Sequence, residues 1–209
     1  TRDSTTTARA IPRDPGLPAL ARLFDRDGPP AGVMRLAEAA GARPQHARLH
    51  YMRHKPTENC VVLWELATES GQLSFISGKL FADDEGARIV ERKSFIRLAQ
   101  TVQDANGLQG QPYDYDPQLK LLLQLFPLDI ALPGLAAATS IAESRRVDAA
   151  TLGLAGPRSL GEPTILNYRP WSRCVLRYGC ERKGKTLHYI AKIHRDQRGR
   201  QLFAQQRTL

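Results

Sequence analysis

The chain has 209 residues, 42% of them hydrophobic, and a formal net charge of +9. This length suits one large domain or two small ones, and no apolar run of about 18 residues is present to span a membrane. The low, odd count of three cysteines indicates reduced thiols and argues against a disulfide framework, and the lack of CxxC spacing argues against a structural zinc site. With no apolar leader at its start, the sequence predicts a cytoplasmic protein with no membrane partner and no structural metal. The basic balance favours polyanions such as nucleotides or nucleic acid, although scattered arginines on a solvated surface would give the same charge.

Residues 1–47 are predicted to be a lead-in with short helices. The stretch 1–18 is polar and contains three prolines, which favours an extended segment. Apolar residues recur with helical spacing at 18–26 and 31–40.

Residues 48–138 are predicted to form a first unit followed by linker helices. Three strands, the third at 73–81, are separated by two turns, the first of which contains Pro56 and Asn59. A helix then ends at Asn106 and Gly107. A loop at 108–117, a short apolar helix "PQLKLLLQLF" and a turn-rich connector "PLDIALPGL" complete the unit.

Residues 139–209 are predicted to form a second unit. A helix up to Ala150 and a loop at 153–163 precede three strands within 164–195, and the segment 197–209 reads as a helix. The overall prediction is an α+β protein made of two small antiparallel sheets, each with a following helix, joined by a helical linker.

The two units share a sequence pattern. With an offset of 114 residues, Cys174 aligns with Cys60, and the adjacent valines and the preceding prolines also align. With an offset of 113, Lys192 aligns with Lys79, the missing residue falling in a turn. The pattern predicts an internal duplication, in which each unit carries one lysine on its third strand.

The second unit resembles the amino-terminal lobe of aminoglycoside-phosphotransferase-like kinases. The matching stretch is "YRPWSRCVLRY…YIAKIHR", which is similar to the pattern Tyr-x-Pro-Gly-x-x-Cys/Ala-Val-Leu-Arg-Tyr followed by a strand with Ala-Lys. "LFPLDIALPGL" at 125–135 also resembles a linker of longer members. The resemblance covers about 60 residues of the second unit and the linker, and it departs from the family where Trp171 stands in place of a glycine.

This resemblance implies the amino-terminal region of an ATP-dependent phosphotransferase that acts on a small-molecule hydroxyl, with ATP and Mg²⁺ as cofactors. A third-strand lysine reaches nucleotide phosphates while the first turn covers them. The expected nucleotide-binding residues are therefore Lys192, Arg169, Ser172 and Arg173, because arginine forks suit phosphate oxygens. Lys79 is a weaker candidate.

No catalytic residue is predicted in this chain. His194-Arg195-Asp196 has the sequence of a kinase catalytic triplet, but Gln201 occupies the position of the metal-binding asparagine. In addition, Lys192 lies only four residues before Asp196, whereas the strand lysine and the catalytic aspartate of a kinase belong to different lobes. The expectation is that the catalytic base and the Mg²⁺ ligands lie in a carboxy-terminal lobe outside these 209 residues, so that the chain alone is inactive. The five histidines and the pair Asp114 and Asp116 are expected to be structural.

Two other functions remain open. One is a non-catalytic duplicated module that binds a protein partner or regulates an attached enzyme. The other is a basic nucleic-acid-binding domain, which is disfavoured because the aromatic residues do not form a stacking platform beside a basic groove.

Overall fold

A computed structural model describes residues 13–24, 29–39, 41, 44–68, 73–140, 161–182, 185–195 and 199. The predicted helix up to Ala150 and the predicted carboxy-terminal helix fall largely outside these residues, as does Asp196. The described part is α+β, as expected. After a 3-10 helix at Pro18–Phe24, its elements are α1 (Ala31–Ala39), β1 (Pro44–Lys55), β2 (Asn59–Thr68), β3 (Leu73–Phe81), α2 (Glu85–Val90), α3 (Lys93–Asn106), β4 (Tyr113–Asp116), β5 (Leu121–Leu125), α4 (Leu135–Thr139), β6 (Thr164–Arg169), β7 (Arg173–Arg182) and β8 (Lys185–His194).

The first sheet is antiparallel, with the strand order β1-β2-β3-β5-β4. Its central strands are buried on both faces, since every residue from Cys60 to Trp64 is at most 1% exposed. The 3-10 helix and α1 cover one face, and α2 and α3 cover the other. The sheet is therefore the middle layer of three, which is the arrangement that buries a continuous apolar run.

The second sheet has the order β6-β7-β8. Its inner face carries Tyr168, Cys174, Leu176 and Tyr178, which pack with Leu63 of β2 and with the segment around α4. Within this core the rings of Phe75, Phe126 and Tyr168 join the two sheets, the last two having centroids 5.3 Å apart.

The strand register agrees with the predicted duplication. In the first sheet Val61 pairs with Lys79 and Cys60 pairs with Leu80. In the second sheet Val175 pairs with Lys192 and Cys174 pairs with Ile193. Aligned residues thus occupy equivalent places in the two meanders.

Two predicted elements of the first unit were wrong. The segment predicted as a short apolar helix contains β5, and the loop at 108–117 contains β4. All five residues of β5 are buried. Apolar periodicity cannot separate such a doubly buried strand from a buried helix, and these two strands extend the first sheet from three strands to five.

The single helix predicted after β3 is two helices, α2 and α3, which meet at Glu91 and Arg92. The predicted end is confirmed: the helix stops at Asn106, and Gly107 follows with a φ of 61°, a left-handed conformation that glycine adopts without steric cost.

Candidate functional site

The outer face of the second sheet carries three of the four residues predicted to bind phosphate. Burial alternates along β8, so that Tyr189 and Ala191 point into the core while Lys192 is exposed. On β7 the exposed neighbours are Arg173 and Arg177. This alternation follows from the two-residue period of a strand.

Lys192 lies diagonally between two arginines on this face. Its direct partner is Val175, while Arg173 faces His194 and Arg177 faces Ile190. Diagonal neighbours in an antiparallel pair have Cβ atoms about 7 Å apart, which brings the lysine and both arginines within reach of one polyanion. Arg177 was not among the residues predicted for this site, although the same alternation along β7 would have pointed to it.

Positive charge dominates the outer face. Arg169 is exposed and pairs with Arg173 at the turn, which adds a fourth cation. Across the residues of β6, β7 and β8 the single acidic side chain is Glu181, at the far end of the sheet, where it accepts a hydrogen bond from Thr186 Oγ1 at 2.5 Å. Two apolar side chains, Leu166 and Ile190, are about half exposed beside the cations, at 47% and 52%.

The turn between β6 and β7 has little capacity left to bind a ligand through its backbone. The Ser172 N–H donates to the Arg169 carbonyl at 3.1 Å, and the Ser172 carbonyl accepts from the Arg195 N–H. Trp171, at the tip, has a φ of 62°, and its N–H donates to Asp129 Oδ2 at 2.9 Å. Ser172 therefore lies next to the cationic cluster, with its backbone engaged in the turn.

The lysine of the first unit is covered. Its ammonium lies 4.3 Å from the ring centroid of Trp171 and 4.5 Å from that of Phe81, within the range of cation–π attraction. Burial lowers the pKa of Lys79, and the nearby carboxylate of Glu85 opposes that effect. Lys79 and Lys192 thus have equivalent strand positions, but Lys79 is half-buried and Lys192 is exposed.

A buried carboxylate, that of Asp129, accepts hydrogen bonds from the turn between β6 and β7. Asp129 is 1% exposed. Its Oδ2 accepts the Trp171 N–H and the Tyr168 hydroxyl, the latter at 3.1 Å, and its Oδ1 accepts the Ala131 N–H at 2.9 Å. Burial raises the pKa of Asp129 to about 6, against the lowering effect of these donors.

The first unit contains the same arrangement, centred on Asp14. Its Oδ2 accepts the N–H of Thr57, whose φ is also 62°, and lies 2.7 Å from Nε2 of His54. Its Oδ1 accepts the N–H of Gly16 at 2.9 Å. Hydrogen bonding from Thr57 and His54 lowers the pKa of Asp14. The two carboxylates make equivalent contacts with equivalent residues.

These two carboxylates were not predicted from the sequence, although it contains a signal for them. "DPGLPAL" at 14–20 and "DIALPGL" at 129–135 share Asp, Leu, Pro and Leu at an offset of 115 residues. Leu17 and Leu132 are both buried at 1% exposure. The repeat therefore begins upstream of the strands, and the lead-in contains the first element of the first unit.

His54 forms a pair with the carboxylate of Asp14, but this pair does not form part of a nucleophilic site. Cys60 lies opposite His54 in the ladder, which places a thiol, an imidazole and Asp14 in one row. Cys60 is fully buried, and burial raises its pKa to about 11, so the thiolate needed for attack is not formed near neutral pH. In the second unit tyrosine replaces the histidine, at Tyr168, which indicates a structural role for the row.

Asp114, Asp116 and Cys174 also have structural surroundings. Asp114 forms an ion pair with Arg35 at 3.3 Å, and Asp116 accepts the backbone N–H groups of the turn that follows β4. Burial raises the pKa of Cys174 to about 12. Within the described residues, no three His, Cys, Asp or Glu side chains are grouped so that they could hold a metal ion, and no helix there has the length and apolar character needed to cross a membrane.

Comparison with protein-family models, with curated proteins and with solved structures found no match.

Proposed function

We propose that this chain is the amino-terminal region of a kinase-like phosphotransferase that uses ATP and Mg²⁺ and acts on a small-molecule hydroxyl. The nucleotide phosphates bind on the outer face of the second sheet, at Lys192, Arg173 and Arg169. Ser172 supplies a hydroxyl beside them.

The order of elements in the first unit supports the kinase-like part of the proposal. Five strands form one antiparallel sheet, and a helical segment connects the third strand to the fourth. The third strand carries Lys79, and Glu85 begins the helix that follows it. Protein kinases pair a third-strand lysine with a glutamate of the following helix. The electrostatic influence of Glu85 on Lys79 is consistent with a vestige of that pair.

The single observation that supports placing the nucleotide site in the second unit is the difference in exposure between the two third-strand lysines. Trp171 and Phe81 enclose Lys79, whereas Lys192 is exposed between two arginines. Each cation that contacts a phosphate through a charge-assisted hydrogen bond contributes about 1.5–3 kcal/mol. The exposed apolar side chains of Leu166 and Ile190 border the cluster and suit the flat face of a base.

One observation favours the non-catalytic alternative. The tip of the turn, which would cover phosphates in a kinase, is 7% exposed at Trp171 and packs on the first unit. A module whose turn serves to join two units, and whose basic face binds an acidic partner, fits this arrangement as well.

Calorimetric titration of the 209-residue chain with ATP tests the proposal. We expect Lys192→Ala to weaken ATP binding by about tenfold or more, which corresponds to about 1.4 kcal/mol. Lys185→Ala, at the opposite end of β8, is the matched control and leaves the affinity unchanged. Lys79→Ala has much less effect than Lys192→Ala because Lys79 is enclosed.

The ligand series separates the candidate functions. ATP binding that exceeds adenosine binding, and that falls in Lys192→Ala, supports the phosphotransferase proposal. No ATP binding contradicts it and leaves the non-catalytic module, while tighter binding of a single-stranded oligonucleotide than of ATP favours the nucleic-acid alternative.

We also expect no ATP turnover by the chain alone, and turnover abolished by Asp196→Ala would assign a catalytic role to the His194-Arg195-Asp196 triplet.

A further inference from the structure

The turn at 169–173 is held from two directions. On one side, Asp129 accepts the Trp171 N–H and the Tyr168 hydroxyl. On the other, the Trp171 indole packs on Lys79 and Phe81 of the first unit, with the two ring centroids 6.1 Å apart. The tip residue therefore links the carboxylate of one segment to the lysine of another unit.

The backbone conformation of the tip is unfavourable without such support. A non-glycine residue in the left-handed region costs roughly 1–2 kcal/mol, and Trp171 has a φ of 62°. In this conformation its N–H points to the Asp129 carboxylate, and its side chain reaches the first unit. A hydrogen bond to a charged acceptor is strong enough to offset that cost.

The first unit shows that the carboxylate acts on the turn, whatever residue occupies its tip. Asp14 holds Thr57 at the same φ with the same N–H contact, yet the Thr57 side chain is exposed to solvent. The carboxylate is common to both repeats. The second unit differs in having an indole, that of Trp171, at the tip of the turn.

We propose that Asp129 is the positioning residue of the junction between the two units: its carboxylate sets the turn so that the Trp171 indole encloses the Lys79 ammonium. Loss of the carboxylate frees the turn tip and increases the solvent exposure of Lys79, which is half-buried in the folded protein. This role does not depend on nucleotide binding.

Fluorine NMR of protein labelled with 5-fluorotryptophan tests this role, because the chain contains two tryptophans. Trp171→Phe assigns the two resonances. In Asp129→Asn we expect the Trp171 resonance to move toward its position in the unfolded chain, while the Trp64 resonance, from the first core, keeps its position. Acylation of Lys79 by an amine-reactive probe, followed by mass spectrometry, becomes faster in the same variant.

Asp14→Asn is the matched control, since it removes the equivalent carboxylate from the first unit. We expect it to leave the Trp171 resonance and the Lys79 acylation rate unchanged. A Trp171 resonance that does not move in Asp129→Asn, or that moves as far in Asp14→Asn, would overturn the proposal. If Asp129→Asn does not fold, Asp129→Glu is tested in its place: it keeps a carboxylate but displaces it by one methylene from the Trp171 N–H, and an unmoved Trp171 resonance there also overturns the proposal.

Discussion

At the scale of single residues, the two turn tips show how one backbone conformation supports different side chains. Thr57 and Trp171 both have a φ of 62°, in the region where β-branched and bulky residues are outliers. Thr57 is exposed, so its side chain contributes little there. Trp171 is buried against the first unit, and its packing offsets the same backbone cost.

This difference predicts opposite effects of glycine at the two tips. Thr57→Gly is expected to stabilise the protein by about 1 kcal/mol, because glycine removes the left-handed penalty and keeps the N–H that donates to Asp14. Trp171→Gly gains the same relief but loses a buried indole, for a net loss of about 2 kcal/mol or more. Urea unfolding of both variants measures the two changes, and the same sign for both would contradict this account.

The two buried carboxylates have opposite pKa displacements although their contacts match. For Asp14, the Thr57 N–H and then His54 lower the pKa. For Asp129, burial dominates and raises the pKa from 3.8 to about 6, and the titratable groups that face it are Tyr168 and Cys174. Where Asp14 has the imidazole of His54 as its partner, Asp129 has the phenol of Tyr168, which cannot carry a positive charge.

The pH dependence of stability is therefore expected to differ in sign at the two sites. The folded protein holds a proton on Asp129 more tightly than the unfolded chain, so this stabilising contribution is complete below pH 3.8 and is lost as the pH rises through about 6. The interval corresponds to about 3 kcal/mol. For Asp14 the contribution is present above pH 3.8 and is lost as the pH falls through its lowered pKa. Unfolding free energies from pH 3 to 7, compared with Asp129→Asn and Asp14→Asn, measure both trends.

At the scale of elements, the strands of the two meanders are adapted to different aromatic neighbours. Gly78 on β3 is equivalent to Ala191 on β8, and Trp64 on β2 is equivalent to Tyr178 on β7. A Cβ at Gly78 would lie 2.7 Å from Cζ3 of the Trp64 indole. The larger ring in the first unit requires glycine, whereas the smaller ring in the second leaves room for alanine.

Gly78→Ala is accordingly expected to destabilise the protein by about 1–3 kcal/mol through overpacking. The control is Gly179→Ala on β7, where a Cβ would lie 3.6 Å from Thr186 Cγ2 at an ordinary contact distance. That change should be neutral or slightly stabilising, since glycine weakens a strand interior. Thermal unfolding of both variants checks the contrast, and an equal loss in the two would show that crowding by Trp64 is not the cause.

At the scale of the whole molecule, the two units share core residues. Leu63 of the first sheet packs in the core of the second, and Trp171 of the second unit packs in a core of the first. Neither sheet can lose its partner without exposing apolar side chains to water.

We therefore expect the two units to unfold in one cooperative transition. Resonances of labelled Trp64 and Trp171 should disappear at the same urea concentration, since coincident probes are the mark of two-state unfolding. In Leu63→Ala, which removes the side chain that the first sheet contributes to the second core and keeps both tryptophans, the two midpoints separate. Two distinct midpoints in the unaltered protein would show that the shared cores do not couple the units.

The sequence by itself determined the α+β class, the two strand meanders, their common register and the alternation that places Lys192 on the opposite face of β8 from Tyr189 and Ala191, because these follow from local periodicity and from one internal alignment. It did not reveal that β4 and β5 are strands, since a run buried on both faces has no period. It also did not reveal that Trp171 encloses Lys79 or that Asp14 and Asp129 hold the turns. Those contacts join residues about 40 to 90 positions apart, and only the packing of one unit on the other decides which lysine is covered and which is exposed.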